Sequence, residues 1–218
     1  GGVDTLGIDT WGVDYGYLDK TGALLGNPFN YRDTRTVGIT DYVWNKIAPW
    51  EEIYGVTGIQ NMNFNTLYQM AADLRDRPWL VENADKMLFV PDLLGYFLTG
   101  AKGTEYTIAT TTGLYDPVAG DWAWDTIREL GLPKKIFTKI DKTGTIRGYL
   151  RQELQEEIGL NAAAFVAVGS HDTASAVAAI PGKGSFACFR SARNPRRLCK
   201  TSPCQSNAFR AGRRYTHF

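Results

Sequence analysis

The chain has 218 residues, 44% hydrophobic and 22% charged, with formal net charge +1; that suits one globular domain or two small ones. It has no run of eighteen apolar residues and no basic-then-apolar start, so no membrane span or signal peptide is expected, and the cytoplasm is the default compartment. The charge is uneven: no Asp or Glu follows Asp172, while residues 188–218 hold Arg190, Arg193, Arg196, Arg197, Lys200, Arg210, Arg213 and Arg214, and all three cysteines.

Up to residue 187, strand and helix signals alternate, which argues for an α/β architecture. Residues 3–9 and 13–18 read as two strands around Gly12, and Asp19-Lys20-Thr21-Gly22 as a turn before a short strand at 23–25. Helical spacing over 36–48 is closed by Pro49. Asn65 can cap a helix running to about Arg77, where Pro78 stops it. A short apolar strand at 86–90 leads into a helix at 91–98, opened by Pro91 and Asp92 and ended by Gly100. The Thr-, Gly- and aromatic-rich stretch 104–124 yields no assignment. Helices are expected at 124–130 and 151–158, and an apolar strand at 162–168. That strand runs into Gly169-Ser170-His171-Asp172-Thr173 and a small-residue helix at 174–179, ended by Pro181. After Ala187 no apolar periodicity remains, and the default reading of the tail is disorder.

The strongest candidate for chemistry is the strand-loop-helix at 164–179. Ligands of open α/β sheets bind beyond the carboxyl ends of strands, and a carboxylate there can point into a cleft. Asp172 could instead cap the helix, which spacing alone favours, and His171 taken alone reads first as a satisfied loop histidine. The second candidate is Gly7-Ile8-Asp9-Thr10-Trp11-Gly12-Val13-Asp14. Gly12 either admits a ligand close to the backbone or marks a β-bulge; Asp9 and Asp14 either pair across a site or face solvent. The third is Tyr31-Arg32-Asp33-Thr34-Arg35, which could bind a polar ligand but reads first as a solvated loop with a local ion pair. There is no G-x-x-x-x-G-K-[ST] loop and no G-x-G-x-x-G fingerprint; Gly182-Lys183-Gly184 is too short for either. Two distant histidines and tail-only cysteines argue against a zinc site.

Taken together and in order, five stretches resemble the FGGY carbohydrate kinases, and among them the branch acting on L-rhamnulose. They are residues 7–14, residues 31–35, Phe64-Asn65-Thr66-Leu67-Tyr68-Gln69, Glu105-Tyr106-Thr107 with Ala109-Thr110-Thr111-Thr112, and Ser170-His171-Asp172-Thr173-Ala174-Ser175-Ala176-Val177. Branches acting on xylulose or fuculose differ around the catalytic Asp and in the first stretch. The resemblance implies an actin-like ATPase fold of two ribonuclease-H-like domains, of which residues 1–187 would be most of the first, lacking its opening strands. It implies transfer of the γ-phosphoryl of ATP, with Mg2+, to O1 of L-rhamnulose, with Asp172 as catalytic base. The backbone near Gly12, with His171, Asp172 and Thr173, would hold the ketose. No residues are assigned to the nucleotide or to a metal.

The chain departs from that family by starting inside the first domain and by replacing everything after residue 187 with the basic tail. The tail is expected to be a frame-shifted translation, since rereading codons for residues 188–193 permits a Leu-Ser-x-Gly-Thr segment close to the family's own. Such a chain is expected to be inactive, with an exposed sheet edge that invites aggregation. The alternatives are a non-catalytic sugar-binding remnant or another FGGY sugar kinase, such as one acting on xylulose or fuculose. The Arg-rich tail could meet nucleic-acid phosphates, but no nucleic-acid or membrane partner is expected; the oligomeric state is open.

Overall fold

In a computed structural model, residues 2–179 are described, together with the backbone of Ala187–Phe189 and Cys199–Thr201. The elements in chain order are β1 Thr5–Leu6, β2 Tyr15–Leu18, α1 Ile39–Lys46, α2 Trp50–Thr57, α3 Thr66–Asp76, α4 Pro78–Asn83, β3 Lys86–Phe89 and α5 Val90–Thr99. They continue with β4 Thr104–Glu105, α6 Tyr106–Ala109, β5 Tyr115–Asp116, β6 Asp121–Trp122 and α7 Trp124–Glu129. The last are β7 Ile140–Asp141, β8 Thr145–Tyr149, α8 Gln152–Ile158, β9 Ala164–Ala167 and α9 Asp172–Ala178.

The sheet that positions the site has the order β1-β9-β8. β1 runs parallel to β9, with Thr5 opposite Ala164 and Leu6 opposite Phe165. β8 is antiparallel to β9, with a shift in register between Ile146 and Gly148. Close approach fixes the β1 side of this pair: a Cβ on Gly7 would lie 2.5 Å from Val168 Cγ1.

The main core lies elsewhere, between α3, the β2–β3 ribbon and the 106–137 region. Leu67, Tyr68, Met70 and Ala72 of α3 are buried with Tyr15, Tyr17, Met87 and Phe89 of the ribbon. Ile108, Leu114, Trp122 and Ile136 complete it. Each such side chain contributes about 1.5–3 kcal/mol on leaving water, so α3 is anchored on every face. Among the described residues no helix is long and apolar enough to cross a membrane.

Several expectations are corrected. The strands expected at 3–9 and 13–18 shorten to β1 and β2 on either side of Gly12; β1 belongs to the three-stranded sheet and β2 pairs antiparallel with β3. Pro49 does follow α1, but it also occupies the N-cap of α2, a helix the spacing did not reveal. Pro78 likewise opens α4 rather than only stopping α3, its missing N–H costing nothing at a first turn. Asn65 stands at the N-cap of α3 without a capping bond; its Oδ1 accepts the Met62 N–H at 2.8 Å and its Nδ2 donates to the Thr111 carbonyl at 3.2 Å. The 23–25 strand is reduced to a single bridge between Leu18 and Leu24. Residues 104–124, whose sequence carries no clear period, form a short strand, one helical turn and a hairpin. Of the tail, the described part is two short strands paired antiparallel. Pro181, the rest of 188–218 and the reading-frame question lie outside the described residues.

Candidate functional site

Beyond the last paired residues of β1 and β9, the two chains remain side by side. The Thr10 N–H donates to the Ser170 carbonyl at 2.9 Å, and the Asp172 N–H donates to the Thr10 carbonyl at 2.8 Å. Thr10 and His171 form a parallel bridge. The parallel register therefore brings the Gly12 loop and the His171–Asp172–Thr173 loop together at the carboxyl ends of adjacent strands, where open α/β sheets bind ligands.

Asp172 is the first residue of α9, and His171 takes the N-cap position without a side-chain cap bond. The Asp172 carboxylate accepts the N–H of Thr173 at 2.7 Å and lies 3.3 Å from the Thr173 hydroxyl. His171 Nε2 is 3.3 Å from the same oxygen. An N-capping side chain reaches the N–H of the second or third helical residue from the non-helical position before the helix; here His171 holds the N-cap, and Asp172 accepts the N–H of the second, Thr173, but from inside the first turn. Its side chain is 47% exposed, open to an incoming hydroxyl.

The Gly12 loop is held from beneath. Val13 has φ of 69°, a conformation L residues rarely adopt. It is kept there by three bonds: its N–H donates to Thr111 Oγ1 at 3.1 Å, and its carbonyl accepts from Thr66 Oγ1 at 2.8 Å and Gln69 Nε2 at 3.3 Å. A Cβ on Gly12 would lie 2.9 Å from Thr111 Cγ2. Gly12 is thus a site of close approach, to buried Thr111 on one side, and not a β-bulge.

Asp9 and Asp14 do not pair. Asp9 is exposed, whereas Asp14 is buried and accepts from Trp11 Nε1 at 2.7 Å, the Tyr31 N–H at 3.1 Å and Gln69 Nε2 at 3.1 Å. Burial raises the Asp14 carboxyl above its ordinary range, opposed by these hydrogen bonds. The 31–35 segment is not simply a solvated loop with a local pair. Asp33 caps a short 3-10 turn, while the Arg35 side chain is buried and lies 3.6 Å from Asp73 of α3.

One residue without an assigned role in the sequence reading organises the second loop. Glu105 is fully buried, and its Oε2 accepts the N–H groups of Thr107 at 2.8 Å, Ile108 at 3.3 Å and Ser170 at 3.1 Å. Thr107 Oγ1 in turn accepts the His171 N–H at 3.2 Å. The signal was present as an acidic residue two positions before a Thr in a matched stretch, but the partner lies 65 residues away.

The donor set suits a polyhydroxylated ligand: exposed loop backbone, a histidine and a half-exposed carboxylate. Among the described residues no three His, Cys, Asp or Glu side chains stand close enough together to share a metal ion.

Residues 2–179 match the FGGY family of carbohydrate kinases, N-terminal domain. The chain is 44% identical over 179 residues to the rhamnulokinase of Bacteroides thetaiotaomicron, covering 82% of this chain and 37% of that protein. It is 42% identical over 177 residues to the rhamnulokinase of Oceanobacillus iheyensis, covering 81% and 37%. The chain thus spans somewhat over a third of the length of the curated relatives it matches. Among solved structures, xylulose kinase from Rhodospirillum rubrum superposes with TM-score 0.72 at 19% identity, covering 84% of this chain and 38% of that one. A carbohydrate kinase from Novosphingobium aromaticivorans gives TM-score 0.71 at 23% identity, covering 84% and 39%. These likenesses show the fold, that of the actin-like ATPases. With a family match over residues 2–179 and relatives above 40% identity, the chain belongs to the FGGY family of carbohydrate kinases.

Proposed function

We propose that this chain supplies the sugar site and catalytic base of a kinase that transfers the γ-phosphoryl of ATP, with Mg2+, to O1 of L-rhamnulose. The observation that carries this reading is the Thr10–Asp172 backbone pairing, which sets the Gly12 loop beside a half-exposed carboxylate. Phosphoryl transfer asks for positioning and charge stabilisation more than for covalent work by the protein. In this reading the Gly12 backbone, His171 and Thr173 hold the ketose hydroxyls. Asp172 orients the attacking hydroxyl and accepts its proton, which requires it to come within hydrogen-bond reach of that oxygen. The two rhamnulokinase relatives support L-rhamnulose over other ketoses. In this reading the chain alone binds the sugar without turning over ATP, in a cytoplasmic setting.

A chimera tests the catalytic part. Residues 2–179 replace the matching third of the Bacteroides thetaiotaomicron rhamnulokinase, and ADP release is followed with L-rhamnulose. Transfer is expected in the chimera and lost, by about 100-fold or more, in its Asp172→Asn form while sugar binding persists. Turnover retained by Asp172→Asn would remove Asp172 from the role of base.

A further inference from the structure

The 25–29 loop, β2 and the junction of α3 with α4 enclose a cavity of about 280 Å³ that shares no lining residue with the Gly12 and Asp172 loops. Its walls include the aromatic rings of Tyr15, Tyr17, Phe29 and Trp79. Arg35, Arg77 and Asp73 also line it, two guanidiniums against one carboxylate.

That carboxylate is fully used. Asp73 Oδ2 accepts from the hydroxyls of Tyr15 at 2.6 Å and Tyr17 at 3.2 Å. Its Oδ1 accepts Arg77 Nη2 at 3.0 Å and lies 3.6 Å from Arg35 Nε, too far for a hydrogen bond. Arg35 spends Nη2 on Gln69 Oε1 at 2.7 Å. The next carboxylate, Asp14, lies beyond Gln69 and is taken by Trp11, Tyr31 and Gln69. Arg35 Nε and Nη1 and Arg77 Nε are left buried with no hydrogen-bond acceptor among the described residues, although the Arg35 side chain is only 8% exposed. The Phe29 ring lies 4.5 Å from the Arg35 guanidinium carbon and 3.8 Å from that of Arg77. Its face answers the charge but offers the in-plane N–H groups no lone pair. A buried donor left without an acceptor is costly, and a planar guanidinium fork is shaped for a carboxylate.

We propose that this cavity is a binding site for a small organic carboxylate, its oxygens on Arg35 and Arg77 and its apolar body against the aromatic walls. The site is separate from the sugar site and does not depend on the kinase reading.

Calorimetric titration of the chain with sodium benzoate tests it, with sodium phosphate and sodium chloride compared at matched ionic strength. Saturable one-to-one benzoate binding is expected, at least tenfold tighter than that of phosphate. It should weaken at least tenfold in Arg77→Gln and stay unchanged in Arg32→Gln, which removes the same charge from an exposed position. Absence of saturable benzoate binding, equal binding of phosphate, or full affinity in Arg77→Gln would overturn the proposal. Should Arg77→Gln fail to fold, Trp79→Ala decides: a tenfold loss of benzoate affinity upholds the site and an unchanged affinity rejects it.

Discussion

Asp14, Asp92 and Asp172 carry one side chain into three environments, and the environment assigns the work. Asp172 is half exposed, and among the described residues its carboxylate meets the adjacent His171 and Thr173, which leaves it open to a ligand. Asp14 is buried under the Gly12 loop and acts as a fastener. Sequence reasoning could not separate them, because both stand in polar, Gly-containing stretches and burial is set by residues tens of positions away. Asp92 is an extreme case: buried beside Arg147 at the start of α5, it has its carboxyl pushed up by desolvation to about 7 from an ordinary 3.8, against the pull of Arg147. An acid whose folded pKa is raised binds more protons folded than unfolded across that window. Its contribution is therefore greatest below about pH 4 and lost as pH rises toward 7. Thermal denaturation of Asp92→Asn should show a shallower decline in midpoint between these limits than the parent. An identical pH profile would contradict the assignment.

At the scale of elements, the ends of helices were the legible features and their connections were not. Gly100 ends α5 with φ of 80°, as a C-terminal glycine should. The 162–168 strand and the following helix appear as β9 and α9, because an apolar run and a run of small residues each carry their own period. Strand β8, with Ile146 and Tyr149 exposed, lacks the alternation that would have marked it. Residues 104–124 escaped because their order comes from buried hydrogen bonds rather than from periodicity, and Glu105 is the centre of these. Glu105→Ala leaves the N–H groups of Thr107, Ile108 and Ser170 without their acceptor. Hydrogen bonds contribute about 1 kcal/mol each net, so the loss of these three is expected to cost about 3 kcal/mol in urea denaturation. The loop carrying His171 should also lose its support, weakening sugar binding in any protein that remains folded. A stability within about 0.5 kcal/mol of the parent would contradict the role given to Glu105.

At the scale of the molecule, the fold class and the order of motifs were readable from the sequence, while the pairing of distant loops was not. The decisive contact, Thr10 with Ser170 and Asp172, joins segments 160 residues apart and follows from the parallel register of β1 on β9. The same sheet leaves β1 at its edge, unpaired on its outer side among the described residues. An open edge is a template for another chain. Thr5→Lys on that strand should lower light scattering on incubation at high concentration without shifting the denaturation midpoint by more than about 0.5 kcal/mol in stability; unchanged scattering would mean that self-association has another seat.

The most direct measurement is calorimetric titration of the chain with L-rhamnulose. Saturable binding is predicted, retained in Asp172→Asn and reduced at least tenfold in both His171→Ala and Gly12→Ala, the latter because its Cβ would meet Thr111 at 2.9 Å. No binding by the folded chain, or binding that Gly12→Ala and His171→Ala leave intact, would contradict the placement of the sugar between these two loops.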